Sequence, residues 1–467
     1  MFKNKKSLVI WLGIPIILLF IPCPAGLDPK AWHLFAFYCA AILGLILRPF
    51  SEPVVLLVAL ATYSIGFNGT SIALAGYGSA TTWLVFAACL VGKAFVDTGL
   101  GSRIAYFLID KFGSTSLRLG YAAAITDLII APATPSNTAR TGGIVYPIFR
   151  SIAITLGSEP GPTSKKIGAN LSLLCNAVSL TTASMFMTSS APNLLVFSFA
   201  VSILGLNMSW GEYALAAFPP CFVLLMIIPL FYNRLARPEL DKIDNKVLAA
   251  EGLKKLGPTK IQEKVLAALF VLALILWGTS QWTKVNSGAV AIAFIAGVLF
   301  FRVVEWDDLL KEKSAWSTMI WYGAIISLAT GLAKLGFFKW IGSIVAAHIS
   351  FGGLNPGMVM ALLILSSLPL RYIFASNAAW VGTMVPVYMM LAQGAHVPPA
   401  LIAVSLCSTA SLGCFVTHFG HGMSVVLFGA GYVDQKTWWI LGGIMAVFAN
   451  LLVLSLGMLW WPCIGIW

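Results

Sequence analysis

Ser136, Asn137, Thr138 and Arg140 stand together in the run Thr134-Pro135-Ser136-Asn137-Thr138-Ala139-Arg140, with an apolar arm on either side. Hydroxyls, an amide and a guanidinium at that spacing suit an anion, carboxylate above all. The hydroxyls and amide donate without net charge, and the arginine fork can engage two oxygens at once. Pro132 and Pro135 strip donors from the nearby backbone. A related tip returns at Ser376-Asn377-Ala378, and a proline follows each Ser-Asn pair at nearly the same distance, Pro147 and Pro386. Ser and Asn are also ordinary helix N-caps. Recurrence at matching places is what favours a binding site over a cap.

The arms decide what can hold these tips. A helix needs ~20 apolar residues to cross a bilayer, and each arm offers only about a dozen. Irregular polar backbone at membrane depth persists only when buried in protein or lining a wet cavity. The pattern therefore predicts two re-entrant hairpins, over 118–152 and 357–392. Interrupted hydrophobic segments at corresponding places in two halves point to a transporter with a midplane site.

Composition agrees. The chain has 467 residues, 59% hydrophobic and 10% charged, with a mean hydropathy of +0.89. A soluble domain carries about a quarter charged residues, so soluble enzymes and binding modules are excluded. The formal charge of +12 is scattered among loops, which gives no nucleic-acid partner. The eight cysteines form no C-x-x-C pair and read as small buried hydrophobes, not a metal site. The N-terminus lacks a convincing cleavage site and a transit peptide, and reads as a first membrane helix in a multi-pass protein.

The expected order is a first half over 1–233 with six spans, a polar cytoplasmic linker over 234–264, and a second half over 265–467 with five more. Each half carries an amphipathic surface helix, then a hairpin, then a broken helix, over 167–203 and 399–431. Gly101–Phe112 and the stretch FFKWIGSIVAAHI (337–349) are the surface helices. With the N-terminus inside, Arg48, Arg103, Arg150, the linker bases, Arg302 and Lys436 all fall in the cytoplasm, as the positive-inside rule asks. The fold class that follows is an all-α polytopic membrane protein, eleven spans plus two hairpins, with halves of opposite topology.

Other candidates lie at the breaks. Pro192 and Asn193 end the first, Thr188 to Asn193; Thr417 and His418 open the second, Thr417 to Gly422, where His421 also sits. Paired histidines at a helix break suit pH sensing or substrate contact; a satisfied packing role is the plainer alternative. Arg140 is an intramembrane charge and a functional candidate by default, against which stands a structural pair with Asp127. Arg371 has no basic counterpart in the first hairpin and would snorkel or pair locally. Trp438, Trp439, Trp460 and Trp461 read as interfacial anchors. Neither an H-E-x-x-H motif nor a Ser/Lys dyad is present, so a membrane-embedded enzyme is the weaker class. A channel is weaker too, because one chain holds the whole repeat.

The stretches TPSNTARTGGIVYPI, FASNAAWVGTMVPV, SSAPNLL and THFGHGMSVVLFGAGY resemble the divalent-anion/sodium symporter family, and within it the 2-oxoglutarate/malate and citrate/tartrate translocator branch, from about Pro22 to Trp461. The resemblance implies a homodimer in the cell inner (plasma) membrane, with a scaffold part and an elevator-type transport part holding both hairpins. It also implies that paired Ser-Asn-Thr tips bind a dicarboxylate between them. Carried over by position, Ser136, Asn137 and Thr138 complete the first tip. The second ends in Ala378 where the family has a hydroxyl. No cofactor is implied beyond sodium, whose sites in the family draw on tip groups, here Ser136, Asn137, Ser376 and Asn377. With Arg140 as a fixed cation beside the first tip and Ala378 lacking a hydroxyl at the second, exchange of 2-oxoglutarate for malate is the expectation. Sodium-coupled uptake of a dicarboxylate or citrate is the alternative.

Overall fold

Ser209 and Glu212 close a reciprocal capping box, Ser209 N–H donating to Glu212 Oε2 at 2.7 Å and Glu212 N–H to Ser209 Oγ at 3.2 Å. Two orphan donors of a helix start are thereby met. From there Trp210–Leu235 runs unbroken through Pro219, Pro220 and Pro229. The computed structural model describes residues 5–348 and 352–467. Ile349, the last residue of the expected second surface helix, lies outside them. Among the described residues the chain is all-α, and its only β pairing is one bridge between Thr115 and Lys242.

Among the described residues seven single helices are long and apolar enough to cross a bilayer, one of them, Pro356–Ile373, an arm of the second hairpin. Of the eleven expected spans, four are shorter apolar helices, Lys6–Phe20, Glu52–Phe67, Ala191–Leu204 and Ser287–Phe300. Another, Lys313–Lys334, bends by 66° into Phe337–Ile344. That bend separates the expected span from the expected surface helix, and Gly336 supplies it with φ +78°. Gly99 does the same with φ +80° between Ala80–Thr98 and Leu100–Phe112. A left-handed backbone of this kind is free for glycine alone.

The first hairpin consists of Ser116–Ile130, a tight turn at Ala131–Ala133, the tip, a π-helical stretch Thr138–Val145 and Tyr146–Thr155. π-Helical turns gather at functional places. The second consists of Pro356–Leu370, the turn Arg371–Ile373 and Asn377–Gly394. The first broken helix leaves the α-conformation after Thr182, earlier than expected, and resumes at Ala191. Side chains take over from the helix there: Ser189 Oγ donates to Ala183 O at 2.7 Å, and Asn193 Nδ2 donates to Ala183 O and to Phe186 O. Those carbonyls are the ones a helix end orphans.

Two expectations change. The linker contains a helix, Asn245–Leu256, capped by Asp244 and packed on the first surface helix, where Asn245 Nδ2 donates to Ile109 O (2.9 Å) and Asp110 O (2.8 Å). Trp438 and Trp461 are packing residues rather than interfacial anchors, 1% and 0% exposed. Trp461 Nε1 donates to Ala216 O at 3.0 Å, and an indole so placed binds helix to helix.

Candidate functional site

Ser136 Oγ accepts from Ala139 N (3.3 Å) and Ser376 Oγ from Ala379 N (3.4 Å). Both serines therefore cap the helices that start beside them. This capping aims the first turns, with their unpaired N–H groups, at one place. A cavity of about 280 Å³ lies there, lined by Ser136, Asn137 and Thr138 of the first tip and Ser376, Asn377 and Ala378 of the second. Pro192 lines it from the first break, and His421 and Gly422 from the second. Arg48, Glu52, Thr318 and Trp321 close it from helices outside the hairpins. A second cavity of about 350 Å³ is lined by Ser79, Ser198 and Asn286 and contains neither tip.

Four of the lining residues, Thr138, Ala191, Asn377 and Gly422, are each the first residue of a helical stretch. Helix starts carry roughly half a positive charge each and leave N–H groups unpaired. Four of them around one small volume suit an anion without a net charge, the one at Ala191 by its dipole alone, since Ala191 N donates to Pro135 O at 3.0 Å and Pro192 has no N–H.

The two tip amides are held differently. Asn137 Nδ2 donates to Ser179 O (3.0 Å) and Ser179 Oγ (3.1 Å). A carbonyl can only accept, so the amide cannot be flipped, and its Oδ1 is left buried with no partner among the described residues. Asn377 presents the reverse. Its Oδ1 accepts from Arg371 Nη1 at 2.8 Å, and its Nδ2 reaches Ser411 Oγ at 3.4 Å.

Arg140 does not line the cavity. It is fully buried behind the tip, with Nε 3.1 Å from Asp127 Oδ2. Its remaining donors reach Thr134 O (2.7 Å), Ser189 O (3.0 Å) and Thr182 Oγ1 (3.1 Å). Asp127 is completed by Thr141 Oγ1 at 2.6 Å. The structural ion pair is the arrangement present. The guanidinium fastens tip, arm and broken helix together, and no donor is left for a ligand.

Arg371 neither snorkels nor forms an ion pair among the described residues. It is 3% exposed, donates to Ala410 O at 2.7 Å and lies 3.3 Å above the Trp380 ring. Its Nε and the Trp380 Nε1 have no partner among the described residues. Buried unsatisfied donors of that sort are uncommon and call for a reason.

The other candidates divide. Asn193 ties the first break together, as above, and is not at the cavity. Thr417 Oγ1 accepts from Gly420 N at 2.9 Å and shapes the second break. His418 accepts from Trp439 Nε1 (3.0 Å) and stacks on Phe428, away from the cavity. Its neighbour His421 is at the cavity instead, capping Gly422–Gly429 through Nδ1 and Met423 N (3.3 Å). The signal for His421 was its place directly before Gly422. Arg48 and Glu52 gave none, being loop charges at the ends of two ordinary spans.

The chain matches the family described as the sodium:sulfate symporter transmembrane region over residues 3–467. It is 44% identical to the inner membrane protein YbhI of Escherichia coli, over 99% of both chains. It is 35% identical to the chloroplastic dicarboxylate transporter 1 of Spinacia oleracea, over 99% of this chain and 82% of that one. The L-tartrate/succinate antiporter of Escherichia coli K12 is 33% identical over 97% of each. Among solved structures, MtrF of Neisseria gonorrhoeae superposes with a TM-score of 0.60 at 13% identity, covering 98% of this chain and 95% of that one. The YdaH transporter of Alcanivorax borkumensis gives 0.57 at 13% identity, over 88% and 89%. At that identity the two share the fold alone. Two of these three relatives are named for transport, and the resemblance drawn from the two tips and the two breaks is borne out: this all-α, multi-pass membrane chain belongs to the sodium:sulfate symporter, or divalent-anion/sodium symporter, family.

Proposed function

We propose that the cavity between the two tips binds a dicarboxylate and that the protein exchanges one dicarboxylate for another, 2-oxoglutarate for malate, across the bacterial plasma membrane. The observation that carries this reading is the convergence of four helix starts and two Ser-Asn pairs on one cavity of about 280 Å³. Relatives named for dicarboxylate transport and for tartrate/succinate antiport support the substrate class. A relative named as an inner membrane protein supports the location.

The transport part comprises the two hairpins and broken helices, related as inverted repeats, and the remaining spans form the scaffold of a homodimer. Gly99 and Gly336 are the hinges on which the transport part shifts. With the N-terminus inside, Arg48 and Glu52 are cytoplasmic, so the tip cavity opens inward. The cavity at Ser79 and Asn286 is then its outward counterpart.

Charge favours exchange, on a different residue from the one the sequence suggested. Arg140 is neutralised by Asp127 and contributes no net charge. Arg371 is the fixed cation, hydrogen-bonded to the tip amide Asn377. A fixed charge cannot leave with the substrate. An empty carrier then moves an uncompensated cation through the membrane at a cost of several kcal/mol, so return is fast only when loaded. A second reading, sodium-coupled uptake, rests on Asn137 Oδ1, a buried acceptor with no partner among the described residues.

Replacing either tip amide tests the site. Asn137→Ala and Asn377→Ala should each abolish dicarboxylate counterflow in proteoliposomes while the protein elutes as a folded species. Unchanged counterflow in both variants would remove this cavity from the account.

A further inference from the structure

Asn377 lines the cavity with an amide whose oxygen is already taken. Arginine has donors only, so Arg371 Nη1 at 2.8 Å fixes which end of that amide is the oxygen. The other end, Nδ2, carries two N–H groups, and the structure gives it one long contact, to Ser411 Oγ at 3.4 Å. The tip therefore offers N–H toward a ligand and withholds its acceptor. A charged donor on the carbonyl also polarises the amide, which makes those N–H groups stronger donors.

Arg371 is itself held from three sides. Ala410 O accepts at 2.7 Å, the Trp380 ring lies 3.3 Å from the guanidinium carbon, and the backbone at Gly413 passes directly beneath it. A Cβ on Gly413 would fall 2.6 Å from Arg371 Nε and 2.8 Å from its central carbon. The residue at 413 thus leaves the space in which the guanidinium lies. The cluster leaves Arg371 Nε and Trp380 Nε1 without partners among the described residues, so it is not the arrangement that packing alone would choose.

We propose that Arg371, seated in the gap left by Gly413 and stacked on Trp380, is a positioning residue. It locks Asn377 into a donor-only orientation and so makes the second tip selective for an ionised carboxylate. The proposal rests on the reading of this cavity as a dicarboxylate site and adds to it which group sets carboxylate selectivity.

The experiment is malate counterflow by the full-length protein in proteoliposomes, with competition by succinate and by its monoamide, succinamate. Folding of each variant is monitored by size-exclusion elution and melting. Wild type should favour succinate over succinamate. Arg371→Gln should raise the KM for malate by about tenfold, the scale of a lost charge-assisted hydrogen bond, and pull the succinate/succinamate preference toward one. Arg371→Lys should recover part of both. Gly413→Ala, which keeps the arginine but takes its space, should reproduce the Arg371→Gln effect and add nothing to it in the double variant. In an Asn377→Ser background, Arg371→Gln should change KM by less than about twofold, because residues acting through one another are not additive. Multiplicative losses in that background, or an unchanged succinate/succinamate ratio in folded Arg371→Gln and Gly413→Ala, overturn the proposal alone. No dicarboxylate response from wild type overturns the reading of the cavity and the proposal together.

Discussion

Each hairpin buries an arginine beside its tip, and the two are used in opposite ways. In the first, Arg140 follows the tip and meets Asp127 on the preceding arm at 3.1 Å, so charge cancels within the hairpin. In the second, Arg371 precedes the tip and lies 3.3 Å from Trp380 on the following arm, with no carboxylate partner among the described residues. Aligning the Ser-Asn pairs puts Trp380 where the first tip has Arg140, and Arg371 where it has Ala131. The first arginine is a fastener whose partner removes its charge. The second keeps its charge and spends a hydrogen bond on the tip amide. Two copies of one motif have thus divided the work, one holding the tip in place and the other giving it sign.

That contrast can be broken most forcefully at Asp127. Asp127→Ala strands a buried guanidinium, and removing one partner of a buried pair costs about 3–5 kcal/mol. The variant should melt far below wild type or fail to fold. Asp127→Leu combined with Arg140→Met should recover much of the loss, since an apolar pair of similar volume is often tolerated. If Asp127→Ala melts like wild type, the pair is no fastener. Arg371→Met should behave in the opposite sense. Losing two hydrogen bonds costs about 1–3 kcal/mol, offset by relief of an unpaired buried charge. The melting temperature should shift little while the KM for malate in counterflow rises by about tenfold or more. A collapse in stability comparable to Asp127→Ala would erase the distinction between the two arginines.

Smaller effects sharpen the picture. Ser136→Ala and Ser376→Ala each remove a cap, about 1 kcal/mol, and should lower counterflow several-fold through the tilt of the helix start. Equal effects are expected at the two tips, because the caps, unlike the arginines, match. Least of all, His418→Phe should cost about 0.5 kcal/mol through its lost bond to Trp439 and leave transport unchanged. A large transport defect there would bring His418 back into the site.

The tips were legible from residue types because hydroxyl, amide and proline at short spacing leave few alternatives in an apolar chain. The two amphipathic helices were legible from charges on one side of a short stretch and aromatics on the other, and Gly99 and Gly336 before them carry a positive φ. The use of each arginine was not legible. Arg140 stood against two alternatives, and its partner Asp127 lies on the opposite arm, so the choice depends on how the hairpin closes. Arg371 depends on Trp380 across the tip and on Gly413 in another segment, and sequence spacing does not encode that meeting. The linker helix Asn245–Leu256 was missed because its buried face, Leu248, Ala249 and Gly252, is short and set among charges. What it packs against is Tyr106 of a distant surface helix.

Labelled 2-oxoglutarate uptake into proteoliposomes, malate-loaded against empty and each with and without an inward sodium gradient, tests the account most directly. A fixed, uncompensated Arg371 predicts uptake into malate-loaded vesicles irrespective of sodium and almost none into empty ones. Robust sodium-driven uptake into empty vesicles would contradict it, and would place the mobile cation at Asn137 Oδ1 in charge of the return step.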